Sequence, residues 1–265
     1  MHVKIIDLTR PLEVVEDKSF PAIVQPLLRI LAPDIKFVDN QAGAEIMMGI
    51  FGCKKEDLPD GEGWAEEVIT MSSHLGTHLD APLHYGSKTG DKKAKSIDQI
   101  DLDKLVADAC VLNFSKKRAT SQSITVDDLK EALDKIAYEI KPGDAVLIRT
   151  DHDKYPLANT MKYNYPGMTR ESAAWLADQG ALIGGTDAVG WDRPFPAMIL
   201  DYKRTGDKKY IWDAHFAHRD KEFYVVQQLA NLQLLPPSGF KIGIFPLKLV
   251  GTSAAPARVV AFIEQ

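Results

Sequence analysis

Three of the seven histidines fall in one eleven-residue segment, His74-Leu75-Gly76-Thr77-His78-Leu79-Asp80-Ala81-Pro82-Leu83-His84. Clustered imidazoles with a carboxylate are the ligand set of zinc and similar divalent ions. In a straight strand, residues four apart are separated by about 13 Å. Ligands of one ion sit at about 2 Å from it, so His74 and His78 can share an ion only where the chain bends. Gly76 supplies the backbone freedom for that bend. Asp80 lies one extended dipeptide step beyond His78, which puts both side chains on one side. Pro82 fixes a turn and keeps Ala81 extended, and His84 arrives on its far side, facing the ion.

Two imidazoles and one carboxylate leave coordination positions open. A structural zinc site is closed by four protein ligands, whereas an open one activates water. His84 is then the group able to move a proton at neutral pH, with a role as fourth ligand as the alternative. Other chemistries fit the same residue types. His78-x-Asp80 with distant His215 has the composition of a non-haem iron triad. A lyase, cyclase or lactonase would use the ion to polarise a carbonyl, and a metal-stabilised binding protein would use it for folding alone.

The remaining composition narrows the class. A chain of 265 residues with 45% hydrophobic content can bury a sizeable core and is not a disordered chain. The net charge is −5, and Lys116-Lys117-Arg118 is the closest thing to a basic run, read as a solvated turn; no nucleic-acid partner is expected. Two cysteines, Cys53 and Cys110, offer neither a disulfide framework nor a thiolate metal site. With no apolar run long enough to span a bilayer and no signal-peptide core, the expectation is a cytoplasmic protein without a membrane partner.

The elements that must position the histidines are mostly strands. Met1–Asp7, 68–71, 109–114, 145–149, 182–185, 241–245 and 258–263 read as strands bounded by turn residues. Thr125 or Ser123 caps a helix running to Ile136, and Thr169 caps Arg170–Gln179 with Gly180 just beyond. Strands that do not alternate strictly with helices point to one mixed α/β domain over residues 1–265, with a substantial sheet or barrel. The run Ile46–Phe51 is read as core, with an interface as the other use. His152 and His218 are read as structural or solvent-facing, with substrate contact as the other use of His152. Trp64, Trp191 and Phe195 are read as core or interface, with an aromatic lining as the other use.

The motif H-x-G-T-H-x-D-x-P-x-H resembles the signature of the cyclase-type metal-dependent hydrolases, a group that includes kynurenine formamidases and isatin hydrolases. The resemblance extends over Gly63-Trp64-Ala65, Leu147–Thr150, Pro166–Thr169, Gly185-Thr186-Asp187, Ile211–His215, Leu229–Leu232 and Phe245–Lys248. It implies a swivelling β/β/α-type fold with a barrel-like mixed sheet, and hydrolysis of an amide C–N bond in a small-molecule substrate. His74, His78 and Asp80 match metal ligands and His84 the acid/base. His215 matches a ligand of a second ion, whose glutamate ligand is replaced here by Gln227. The expectation is therefore one divalent ion per chain, zinc or manganese, with Gln227 near or on it. The formamidases' serine after the G-x-D segment is also missing, since Asp187–Asp192 reads Asp-Ala-Val-Gly-Trp-Asp. A homo-oligomer, dimer or tetramer, is implied as well.

Overall fold

The computed structural model describes residues 2–15, 30–117 and 123–264; Arg118 of the basic turn lies outside them. In chain order the elements are β1 (Val3–Asp7), β2 (Asp34–Val38), α1 (Asn40–Phe51), β3 (Glu66–Thr70), β4 (His78–Asp80), β5 (Lys88–Thr89) and β6 (Lys92–Lys93). There follow β7 (Val106–Asn113), α2 (Val126–Lys135), β8 (Ala145–Arg149), α3 (Arg170–Asp178), β9 (Ile183–Thr186) and α4 (Phe195–Thr205). The last are α5 (Asp213–Ala217), β10 (Tyr224–Gln227), β11 (Phe240–Pro246) and β12 (Ala254–Glu264).

Strands join in the order β1-β12-β11-β7-β8-β9-β10-β4, and β4 also pairs with β12, which closes seven of them into a ring. β7, β8, β9 and β10 run parallel to one another, and the remaining ring pairs are antiparallel. This is the expected mixed barrel. The long strand β12 makes closure possible, because its first residues pair with β4 and its last with β1.

Alternation along the strands divides the core into two layers. Ala109, Val111, Ala145, Leu147, Tyr224, Val226, Ala255 and Val259 share the barrel interior. Cys110, Leu112, Val146, Ile148 and Val225 face outward, under α2, α3 and α5. Leu79 points inward with the first group, so its strand neighbours His78 and Asp80 point outward. The register then sets Asp80 opposite Val225 and His78 opposite Gln227, which puts Gln227 on the same outer wall.

Helix starts follow the local signals. Thr125 caps α2 by accepting from the Asp128 amide, and Thr169 caps α3 by accepting from that of Ser172. Gly180 takes a positive φ of 103° just past α3. The run Ile46–Phe51 departs from expectation. It is the end of α1, which buries only Gly43 and Ala44, so it does not belong to the core. Lys117 pairs with Asp128 rather than standing free.

At one end of β10, the Tyr224 hydroxyl donates to Glu222, and Lys95 and Lys104 approach the same carboxylate at 3.0 and 3.2 Å. Burial opposes ionisation, but the hydroxyl and the two ammonium groups hold Glu222 down at about 2. A folded value below the ordinary one gives stability that is present above about pH 4.5 and lost as pH falls toward 2. Glu222→Gln should therefore lower stability by about 1 kcal/mol at pH 7, a partly solvated cluster being screened. In thermal melts run against pH, the gap from the parent should close with acidification.

Candidate metal centre

The bend required between His74 and His78 sits at Gly76, where φ is +58°. A Cβ there would meet only the tip of the exposed Leu12 side chain, so it is the backbone conformation that favours glycine. Beyond it β4 carries His78 and Asp80 outward. A turn begun by Pro82 then returns His84 to within 4.0 Å (Nε2) of Asp80 Oδ1.

Asp80 is wholly buried, and four imidazoles surround it. His74 Nδ1 is 2.9 Å and His78 Nε2 is 3.4 Å from its Oδ1. His215 Nε2 is 3.6 Å from Oδ2. Three of the rings are held from behind. His78 Nδ1 is 2.8 Å from the Gly76 carbonyl, which fixes the proton there and leaves the Nε2 lone pair facing inward. His74 Nε2 meets Ser253 Oγ at 3.2 Å. His215 Nδ1 is bonded to Asp192, whose other oxygen accepts from the Ala214 amide at 2.7 Å.

Burial opposes the charge on Asp80, yet His84, His78 and the other rings keep its carboxyl well below the usual range. Burial pushes His84 down to about 4, against the pull of Asp80, so its ring is neutral near pH 7. Burial acts the same way on His215, but Asp192 and Asp80 outweigh it and raise that ring to about 9.

The donor set suits a divalent cation. Among the described residues, His78 Nε2 and Asp80 Oδ1 are buried polar atoms that no neighbour meets in hydrogen-bond geometry, although His74 Nδ1 lies 2.9 Å from that oxygen, an arrangement that is costly unless something binds there. His74, His78 and Asp80 present ligand atoms within 4.8 Å of one another, and so do Asp80, His84 and His215. All residues singled out for metal chemistry in the sequence thus converge.

Gln227 also reaches the cluster, but with the wrong atom for ligation. Its Oε1 accepts from the Trp191 amide at 3.1 Å. That fixes the amide group so that Nε2 donates to Asp80 Oδ2 at 2.6 Å. A donor NH2 does not ligate a cation.

Above the cluster opens a cavity of about 420 Å³, walled by Tyr163, Tyr165, Val189, Phe195, Met198 and Trp212, with His74, His78 and His84 at its polar side. Trp191, itself in the core, and Phe195 also line it, whereas Trp64 does not. Trp212 has a left-handed backbone, φ +49°, uncommon for a bulky residue. Its indole stacks on His215 at 4.5 Å and meets the edge of His84 at 4.9 Å.

His218 is buried rather than solvent-facing. It accepts from Trp191 Nε1 at 3.1 Å and stacks on Phe223, because α5 turns it inward. His152 is buried and bonds to Thr150 and to the Asn164 carbonyl. Ser253, Asp192 and Trp212 were not marked by the sequence motif. Ser253 is 179 residues from the His74 it supports, so no local spacing betrays it.

The fold is shared with solved metal-dependent hydrolases. Isatin hydrolase A from Labrenzia aggregata, solved with benzyl benzoate, superposes with a TM-score of 0.74 at 24% identity, covering 99% of this chain and 94% of that one. A potential metal-dependent hydrolase with cyclase activity gives 0.66 at 22% identity over the whole of both chains. In sequence, the chain is 30% identical over 223 residues to isatin hydrolase from Roseibium aggregatum, covering 78% of each. It is 29% identical over 192 residues to kynurenine formamidase from Erythrobacter litoralis, covering 72% of this chain and 74% of that one. The sequence model of the family described as putative cyclase matches residues 6–193. The chain belongs to this cyclase family.

Proposed function

We propose that the chain hydrolyses a C–N amide bond in a small molecule, a formamide or a cyclic amide of the isatin kind. The observation that carries this reading is buried Asp80 at the polar side of an apolar cavity, ringed by histidines, with Asp80 Oδ1 and His78 Nε2 unmatched by any hydrogen-bond geometry among the described residues. The relatives named for isatin and kynurenine chemistry support it.

His74, His78 and Asp80 would hold one divalent ion, zinc or manganese. When bound, the ion supplies Lewis-acid polarisation of a carbonyl and activation of water. His84, neutral and beside the carboxylate, accepts the proton of the attacking water and passes it to the leaving nitrogen. The Ser253 hydroxyl, the Gly76 carbonyl and Asp192 keep the rings aimed. The apolar walls orient an aromatic or bicyclic substrate and exclude bulk water. His215 is the remaining imidazole of a second position, but the Gln227 amide brings a hydrogen-bond donor there, not a carboxylate. Gln227 therefore positions Asp80 rather than ligating.

The same reading takes residues 1–265 as one domain, acting in the cytoplasm as a homo-oligomer, dimer or tetramer, without nucleic-acid or membrane partners. Metal analysis of the purified chain should find one equivalent, and two at full occupancy would overturn the single-ion assignment. A screen of formamides, isatin-like cyclic amides and lactones should give turnover on an amide. Turnover confined to lactones, or oxygen uptake with added iron, would overturn the amide reading.

A further inference from the structure

Two glycines bring a tyrosine up to the metal centre. Gly167 packs backbone to backbone on the loop that follows β9, where a Cβ would lie 2.2 Å from the Asp192 carbonyl oxygen. The Met168 amide donates to the Trp191 carbonyl at 2.9 Å, and Pro166 keeps Tyr165 extended. Tyr165 is thereby registered against the loop whose Trp191 amide holds Gln227 and whose Asp192 holds His215. Its hydroxyl end reaches Gly190. A Cβ there would lie 2.6 Å from Tyr165 Oη and 3.7 Å from Gln227 Oε1. Gly190 has no left-handed backbone, so its bare Cα serves to admit the hydroxyl.

Tyr165 is 6% exposed and lines the cavity. Its hydroxyl meets no hydrogen-bond partner among the described residues. It is not sealed in as His78 Nε2 and Asp80 Oδ1 are, so it stays reachable. Other polar groups of the same wall are spent within the protein. The Tyr163 hydroxyl donates to the Leu157 carbonyl at 2.7 Å, the Trp191 indole to His218 at 3.1 Å, and the Gln227 amide is held at both ends. Burial, helped by the Asp192 carboxylate, pushes the phenol above its usual range, so it stays a donor. A substrate filling the apolar cavity displaces solvent from that hydroxyl. It must then accept the hydrogen bond or leave the donor unpaired, which costs about tenfold in affinity or more.

We propose that Tyr165 determines specificity by donating a hydrogen bond to a second oxygen of the substrate, one beside the amide bond that is cleaved. The assignment rests on the amide reading above. The reacting carbonyl belongs to the histidine side of the cavity, and Tyr165 stands on another wall. The Gln227 amide group spans the two, with Nε2 on Asp80 and Oε1 on the side of Gly190. The second oxygen therefore lies a few bonds from the first, as in an ortho-acyl anilide or a ring with adjacent carbonyls. A ketone is acceptor enough, because the phenol donates without a charge. An amide of the same size without that oxygen fits the walls and wastes the hydroxyl, and a site built to bond an oxygen disfavours the analogue that lacks it.

The test compares formanilide with 2′-acetylformanilide, which adds one ketone beside the formamide, as kcat/KM on the metal-loaded parent and on Tyr165→Phe. The substitution removes the hydroxyl and keeps the ring. The parent should favour the ketone probe, and the variant should lose at least about tenfold of that preference. It should fall on the ketone probe and gain on formanilide, whose complex no longer leaves a donor unpaired. Metal content should match the parent's. An equal fall on both probes would place the hydroxyl on the reacting carbonyl and overturn the proposal, as would no change on either. If the parent is inert toward both formanilides, calorimetric binding of 2-aminoacetophenone decides. That compound has the ketone and no amide to cleave, so the variant should bind it about tenfold more weakly, and equal binding overturns the contact. Inertness toward isatin as well sinks the amide reading alone. Should Tyr165→Phe fail to fold, Gly190→Ala, whose Cβ displaces the hydroxyl, should show the same loss, and an unchanged preference overturns the proposal.

Discussion

Asp80→Asn should leave the chain folded and almost without its ion, and catalysis should fall with the metal. The substitution keeps the side chain's shape and removes the one anionic ligand from among His74, His78 and Asp80. Partners that merely orient a ligand cost about 10- to 100-fold in affinity when lost. A direct anionic ligand should cost more, on the order of 10³-fold in metal affinity and at least as much in kcat/KM. Folding should survive, because a neutral amide at this position relieves the ion-free chain of a buried charge. Leu79, the β4 residue that packs the barrel, is untouched. Metal content after dialysis, read beside the far-UV spectrum, checks this. An asparagine variant retaining a full equivalent would remove Asp80 from the ligand set.

His84→Ala has the opposite signature. His84 Nε2 stands 4.0 Å from Asp80 Oδ1, farther than His74 or His78, and its ring lines the open cavity. Loss of a positioned acid/base typically costs 10²- to 10⁴-fold. The variant should therefore hold one equivalent of metal and lose about that factor in kcat, with KM little altered. The alternative is written into the same cluster, since Asp80, His84 and His215 also present ligand atoms within 4.8 Å of one another. Metal lost together with activity would make His84 a ligand. The two substitutions thus separate holding the ion from moving the proton.

The centre's local half was legible because its geometry is local. One glycine with positive φ, one dipeptide step and one proline turn carry the chain from His74 to His84, and each leaves a residue-type signature. Strand alternation in β7, β8 and β12 was legible for the same reason. The other half depends on register. Gln227 enters the site because β10 pairs with β4 in antiparallel register, and Ser253 because it precedes the residues of β12 that pair with β4. Only the family resemblance points to Gln227, and nothing in the sequence points to Ser253. The orientation of the Gln227 amide depends in turn on the backbone amide of Trp191, a main-chain group that no side-chain pattern reveals. The apolar run Ile46–Phe51 reads as core because composition alone does not say which side of the sheet a helix takes, and α1 buries only Gly43 and Ala44.

The seam of the ring has a consequence for the order in which the molecule comes into being. β4 lies between β10 and β12, strands that follow it by well over a hundred residues. During synthesis the histidine segment emerges early and waits without neighbours, while His215, Gln227 and Ser253 are still to be made. Such long-range pairings form late and slowly. His215, Gln227 and Ser253 therefore join the histidine segment only when the final strand has closed the barrel.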